Sequence, residues 1–200
     1  MLREGATKSN RESFILDLEN KRGNGKKIKE GKQSPMIKMN YSKVNERFED
    51  LKGAQLISFG RAAAMTWIRF KKCEKEYFLH IQCYFRVTDN TDVLVMNTEM
   101  FEPSDLVLNS GAFDIDTFDW DKQGQNKYDE WADNLAPRLI NNLVVKDVQI
   151  SVYGDLRVYL ANNITIEVIG DSMARECWRF FERGVDQHIV MIGCDIEVDG

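Results

Sequence analysis

Long apolar runs are missing from this sequence. A helix that spans a bilayer needs about 20 consecutive apolar residues, and no stretch of the chain approaches that length. The first residues, MLREGATKSNRES, include basic side chains but no apolar block of the length that a secretory signal requires. We therefore expect a cytoplasmic protein that does not associate with membranes.

The motifs of the common enzyme classes are missing as well. The chain has no G-x-S-x-G, no H-E-x-x-H and no glycine-rich phosphate loop, and it contains only two histidines, His80 and His188. Cys177 lies eleven residues before His188, and the two are an alternative nucleophile and base. Two residues packed in or beside a sheet explain this pair more simply. The sequence favours a non-enzymatic protein that needs no cofactor.

Cysteine is infrequent, and its spacing gives no C-x-x-C motif. In a chain without an export signal, we expect the four cysteines to be reduced thiols. A zinc site would have to combine His80 and Cys83 with His188 and Cys194. Residues three apart in a strand point to opposite faces of the sheet, so His80 and Cys83 are poorly placed to share one ion.

The charges of the chain are divided unevenly. Residues 1–40 contain ten Lys and Arg against five Asp and Glu, whereas residues 41–200 contain seventeen against twenty-seven. We interpret residues 1–40 as a basic flexible leader, because it offers few side chains that could be buried, and Met36 is an alternative start. Nucleic-acid binding is not expected, since the leader has no aromatic residue between Lys21 and Pro35 and the remaining chain is acidic.

Residues 41–200 fit a single acidic α+β domain. Ser42 is a suitable cap for a short N-terminal helix, in which Val44 and Phe48 recur at helical spacing. From Gln55 onward, apolar and aromatic runs such as QLISF, MTWIRF and DVLVM alternate with turn residues, which is typical of antiparallel β-meanders. A second helix is predicted near 126–143, where an apolar stripe is interrupted by Pro137, which must kink it.

Strand-like runs return near the carboxyl end of the chain. A constant offset of 94 residues aligns three pairs of like residues: Gln55 with Gln149, Gly60 with Gly154, and Cys83 with Cys177. We interpret this alignment as a weak internal repeat of about 55–96 and 149–194. Similar strand lengths alone are the alternative explanation.

The segment DWDKQGQNKYDE, residues 119–130, has part of the calcium-binding pattern of an EF-hand. Asp119, Asp121 and Glu130 occupy loop positions 1, 3 and 12, and Gly124 occupies position 6. Positions 5, 8 and 9 depart from the pattern, because they carry Gln, Asn and Lys. An acidic turn that leads into the second helix is the simpler interpretation. A divalent-metal site at Asp119, Asp121 and Glu130 is the alternative.

Acidic residues are concentrated between the two meanders. Residues 99–133 carry ten Asp and Glu against two Lys, a net charge of −8. Such a surface would attract a basic protein through long-range electrostatics. The sequence predicts six candidate contact residues for such a partner: Asp114, Asp116, Asp119, Asp121, Asp129 and Glu130.

A short pattern near the carboxyl end carries a resemblance. Glu176, Trp178, Arg179 and Phe180 form an E-x-W-R-F strand that follows the hairpin GDLRVYLANN. On these motifs, residues 51–196 resemble small uncharacterised bacterial domain-of-unknown-function proteins. Some of those occur beside polymorphic toxins and are taken for immunity proteins. The resemblance implies a bacterial binding protein and assigns no catalytic residue.

Two hypotheses about function follow from the sequence. The first is a binding protein, in the manner of an immunity-like inhibitor, that presents its acidic surface to a basic protein partner. The alternative is a calcium-like switch or a metal-dependent enzyme that uses the loop 119–130. Dependence on a divalent ion separates the two.

Overall fold

The computed structural model describes residues 37–38, 41–111, 113–140 and 142–199. Two antiparallel sheets and a few helices make up this part of the chain, so the predicted α+β class with meander-like strands is confirmed. The predicted leader lies outside the described residues except for two positions. Ile37 and Lys38 form a short strand that pairs with Val198 and Glu197.

The strands are numbered in chain order. They are β1 (Ile37–Lys38), β2 (Gln55–Ala62), β3 (Met65–Lys72), β4 (Lys75–Ile81), β5 (Tyr84–Thr88), β6 (Val93–Met96), β7 (Val145–Ile150), β8 (Leu156–Leu160), β9 (Thr165–Ile169), β10 (Glu176–Glu182), β11 (His188–Ile192) and β12 (Asp195–Asp199). The large sheet has the order β1-β12-β11-β10-β4-β3-β2, and the small sheet has the order β6-β5-β9-β8-β7. Every pairing is antiparallel.

The chain changes sheets twice. It passes from β4 in the large sheet to β5 in the small sheet, and later from β9 in the small sheet to β10 in the large one. As a result, β4 pairs with β10 and β5 pairs with β9. The backbone N–H of Gln82 donates to the carbonyl of Cys177 across 2.8 Å at the place where the two crossings meet. Each half of the chain therefore contributes strands to both sheets.

The two sheets also meet at the start of β2 and β7. Gln55 and Val144 form a bridge, the N–H of Leu56 donates to Leu143, and the N–H of Val145 donates to Ala54. These bonds satisfy backbone groups that would otherwise lie at sheet edges. They also hold the first residues of β2 in place, next to the connector described below.

At the predicted offset of 94 residues, β5 aligns with β10, but β2 aligns with residues 149–156, which include the turn between β7 and β8. The internal repeat therefore stays a prediction.

One hydrophobic cluster draws on the buried faces of both sheets. Trp178 in β10 is completely buried, and its indole N–H donates to the carbonyl of Gly154 at 2.9 Å. Helix α1 (Tyr41–Glu49) packs on this cluster through Phe48, whose ring stacks on Phe180 with centroids 4.5 Å apart. Burial of these large side chains is the main stabilising contribution to such a core.

The segment between β6 and β7 contains two helices. A short helix, α2 (Asp105–Leu108), comes first, and the longer helix α3 follows as Lys127–Glu130, a π-helical turn at Trp131–Leu135, and Ala136–Ile140. The N–H of Ala136 donates to the carbonyl of Trp131 in the wider turn, directly before Pro137, which has no N–H. The helix predicted near 126–143 is therefore present, and the π turn is the irregularity that accompanies its proline.

Candidate functional site

A buried ion pair organises the acidic connector. Arg61 lies in β2 at a position that alternates with Phe59, so its side chain points inward and is fully shielded from solvent. Its Nε lies 2.6 Å from Oδ1 of Asp129, and its Nη2 lies 2.7 Å from Oδ2. The hydrogen bonds to Asp129 raise the pKa of Arg61 above its usual value, although burial acts in the opposite direction. The result is a bidentate pair between β2 and α3.

The guanidinium of Arg61 also binds the loop that precedes α3. Its Nη2 donates to the carbonyls of Asp121 and Lys122, at 3.4 Å each, and the carboxylate of Asp121 lies 3.6 Å from Nη1. Gly124 donates its backbone N–H to Oδ2 of Asp129 at 2.8 Å. Carbonyl and carboxylate oxygens of the EF-hand-like segment therefore converge on an internal cation, the side chain of Arg61.

The three carboxylates of the alternative metal site have different partners. Oδ1 of Asp119 accepts the N–H of Asp121 at 3.1 Å, and Oε2 of Glu130 accepts the N–H of Asp105 at 2.9 Å. The carboxylate of Asp121 faces Arg61. Within the ranges that the structure describes, no group of three or more His, Cys, Asp and Glu side chains is arranged to hold a metal ion. The structure thus does not bring Asp119, Asp121 and Glu130 together as a ligand set.

The predicted partner-binding residues fall into two groups. Asp114, Asp116, Asp119 and Asp121 are exposed, and Oδ1 of Asp114 accepts the N–H of Asp116 to cap a short 3₁₀ turn. Asp129 has to be removed from the predicted surface, because it is buried against Arg61 and caps nothing that faces solvent. Glu130 is half-buried and ties α3 to α2, so its charge is only partly available to a partner.

The acidic connector also exposes apolar side chains, which the sequence analysis did not predict. Leu106 is 69% exposed and Ile115 is 66% exposed, and Phe101 and Leu108 are exposed as well. Their short segments show neither helical nor strand periodicity, so the sequence gave no pattern from which their exposure followed. Acidic and apolar groups therefore alternate on one stretch of surface.

A groove of about 540 Å³ opens between these groups. Its lining combines apolar and acidic side chains from both ends of the connector, including Leu106, Phe113, Asp114, Phe118 and Asp119. The order of the loop on one side of the groove depends on Asn126, whose amide donates to the carbonyl of Trp120 and whose Oδ1 accepts the N–H of Asp129. The groove is therefore built on residues that contact the buried ion pair.

The alternative nucleophile and base contact different neighbours. The thiol of Cys177 is buried and points toward the carbonyls of Ser172 and Arg175. The His188 ring stacks on Phe181 with centroids 4.4 Å apart, and its Nδ1 lies 2.9 Å from Nη1 of Arg179. Burial also raises the pKa of the neighbouring Cys83 thiol, which disfavours the thiolate that nucleophilic chemistry needs. These contacts give no support to a thiol–imidazole active site.

Comparison with known proteins gives no family assignment. The chain matches no family model, no curated protein and no solved structure. Among the described residues, no helix is both long enough and apolar enough to cross a membrane.

Proposed function

We propose that this protein is a non-enzymatic binding protein whose acidic connector engages a basic protein partner, as an immunity-like inhibitor would. The observation that carries the proposal is the exposure of Asp114, Asp116, Asp119 and Asp121 beside a groove with an apolar lining. Long-range attraction would speed the encounter, and apolar contacts in the groove would slow dissociation.

The buried pair of Arg61 and Asp129 supports the proposal because it fixes the shape of the loop. A partner that binds a preformed surface does not have to spend binding energy on ordering it. Since the pair lies beneath the exposed aspartates and contacts the backbone of Asp121 and Lys122 directly, it stabilises the loop without neutralising most of the exposed charge.

Mutual repulsion among the exposed aspartates supports the same proposal. Four carboxylates within eight residues repel one another and contribute little to folding. Solubility would be served equally well by charges spread over the surface. A cationic partner surface gives this concentration a use, and nothing else in the described structure neutralises Asp114, Asp116 or Asp119 with an ion pair.

The divalent-metal switch at Asp119, Asp121 and Glu130 is the second proposal, and it has weaker support. A metal ion in the loop would have to compete with the guanidinium of Arg61 for the carbonyl and carboxylate oxygens that converge there. No observation on the described residues favours the ion over the arginine.

The test of the first proposal replaces Asp114, Asp116, Asp119 and Asp121 by Asn. The matched control removes the same charge from four exposed positions outside the connector, by Glu46→Gln, Asp50→Asn, Glu74→Gln and Asp186→Asn. Tagged wild type and both variants are used to capture partners from the native host, and association with the captured protein is then followed at increasing salt. We expect the connector variant to associate about tenfold more slowly or worse, with a weaker salt dependence, and the control to behave nearly as wild type.

Equal association rates for wild type and the connector variant would remove the acidic connector from any account of function. An equal loss in both variants would show that total charge, rather than this surface, governs the interaction. The melting temperature of each variant is measured alongside, so that a folding defect is recognised as such.

We further propose, as a description of the fold, that the two halves of the chain are a diverged internal repeat and that α1 is the predicted N-terminal helix that covers the sheet. The exchange of strands between the sheets supports the repeat, since β4 and β5 in one half correspond in order to β9 and β10 in the other.

A further inference from the structure

A second groove, away from the acidic connector in sequence, is lined by sulfur. It has a volume of about 450 Å³, and Met173, Met191 and Cys194 all contribute to its lining. Cys194 is one of two exposed cysteines, and Met173 is 83% exposed. A thioether with so much exposure is unusual for an apolar side chain, and here it lies beside a thiol.

The two exposed sulfur atoms are in contact. Sγ of Cys194 lies 3.9 Å from Sδ of Met173, across 21 residues of sequence. Two sulfur ligands at about 2.3 Å from a shared metal ion are separated by roughly 3.8 to 4.6 Å for angles from tetrahedral to linear. The observed separation falls in this range and corresponds to a bent arrangement, which leaves a third coordination position open toward the groove.

Glycines form the places where the sulfur-bearing residues lie. A Cβ at Gly193 would come within 2.6 Å of the backbone carbonyl of Met173, so only glycine lets the segment around Met173 approach the turn that carries Cys194. Gly193 also has a φ of 62°, which favours glycine. A Cβ at Gly154 or Gly170 would come within 2.7 or 2.8 Å of the terminal methyl group of Met191. The backbone is therefore shaped around the two methionines.

We propose that Cys194 and Met173 form a binding site for a soft monovalent cation, Cu(I) in chemical class. Thiolate and thioether ligands select Cu(I) over hard cations such as Mg²⁺ and Ca²⁺. On binding, the Cys194 thiol gives its proton to the buffer and a sulfur–copper bond forms, while the Met173 thioether donates a lone pair without losing a proton. The wall of the groove near Met191 excludes water from one side of the ion.

This site is independent of the proposed acidic binding surface, because it shares no lining residue with the groove on the connector. It also differs from the zinc combination considered from the sequence, which required His80, Cys83 and His188. Sulfur donors alone make up the proposed site.

The test is an anaerobic titration of the reduced full-length protein with Cu(I), in competition with the chromophoric chelator bicinchoninate. We expect one ion per chain, an affinity reduced about 100-fold or more by Cys194→Ser, and a reduction of about tenfold by Met173→Leu, which removes the sulfur and keeps the volume. Cys73→Ser is the matched control, because Cys73 is the other exposed cysteine. It should bind Cu(I) as wild type does.

Equal losses in Cys73→Ser and Cys194→Ser would overturn the proposal, since they would show binding to any exposed thiol. Wild-type affinity in Met173→Leu would overturn it as well, because the thioether would then not be a ligand. X-ray absorption on the loaded wild-type protein should find at least two sulfur neighbours, and a single one would contradict the site. Thermal unfolding of each variant shows whether a loss of binding reflects loss of fold.

Discussion

Arg61 and Asp129 lie 68 residues apart in sequence and form a bidentate ion pair that is buried between β2 and α3. Each of these charges has lost most of its contact with water and depends on the other for compensation. The pair also receives the N–H of Gly124 and donates to the carbonyls of the preceding loop. It therefore connects the stability of the domain to the conformation of the candidate binding surface.

Removal of either charge of this pair should be strongly destabilising. We expect Asp129→Asn and Arg61→Met to lower the free energy of unfolding by about 3 to 5 kcal/mol each, because each leaves a buried charge unpaired. The double variant should lose less than the sum of the two, which a double-mutant cycle by chemical denaturation measures. Additive losses would show that the two side chains do not interact as the structure indicates.

Trp178 provides a test of the core. Trp178→Ala should cost about 3 to 5 kcal/mol, since the side chain is completely buried and contacts α1 through Phe48. Trp178→Phe should be milder, although it leaves the carbonyl of Gly154 without its indole donor. Urea denaturation of the three proteins gives the comparison, and a loss under about 1 kcal/mol for Trp178→Ala would contradict the central position of β10.

Calcium titration provides a test of the loop 119–130. We expect isothermal titration to show no binding tighter than about 1 mM, because the guanidinium of Arg61 already contacts the oxygens of the loop and the three carboxylates have separate partners. Glu130→Gln should leave this result unchanged. Micromolar binding that Glu130→Gln abolishes would instead establish the metal-switch hypothesis.

Glu167 predicts a pH dependence of stability. Burial acts to raise its pKa, but hydrogen bonds from Arg86 and Arg157 lower it more, so the pKa in the folded protein lies below the usual value of 4.5. The unfolded chain therefore binds a proton more readily, and the stabilisation is present above about pH 4.5 and is lost as the pH falls through the folded pKa. Measured from pH 7 to pH 3, the difference in unfolding free energy between wild type and Glu167→Gln should shrink on acidification. A difference that stays constant over this range would contradict the lowered pKa.

The class of fold and the position of α3 were predictable, because alternating strand patterns and an apolar helical stripe are local features of the sequence. The partner of the acidic loop was not, since Arg61 meets Asp129 only after β2 and α3 have packed together. A signal did exist in QLISFGRA, where strand alternation puts Arg61 on the same buried face as Phe59. A charged residue at such a position requires a buried partner, and this requirement indicates an acidic residue elsewhere in the chain.

The exposure of apolar residues on the connector was not predictable in the same way. Leu106 and Ile115 lie in turns too short to have a period, and their surroundings are set by α2 and by the 3₁₀ turn at Ile115–Thr117. The contact between Cys194 and Met173 likewise depends on how a loop and a hairpin turn approach each other in space. Sequence patterns report which side chains share an element, and they do not report which separate loops meet.

The exchange of strands between the two sheets has a consequence for synthesis on the ribosome. β4 has β3 on one side from the start, but its other side stays unpaired until β10 has been made, because Ile81 pairs with Trp178. During that interval the nascent chain exposes an aromatic, hydrogen-bonding edge that neighbouring chains could join. Such late, long-range pairing slows folding, so the yield of native protein in the cell should depend on chaperones that bind this edge until β10 emerges.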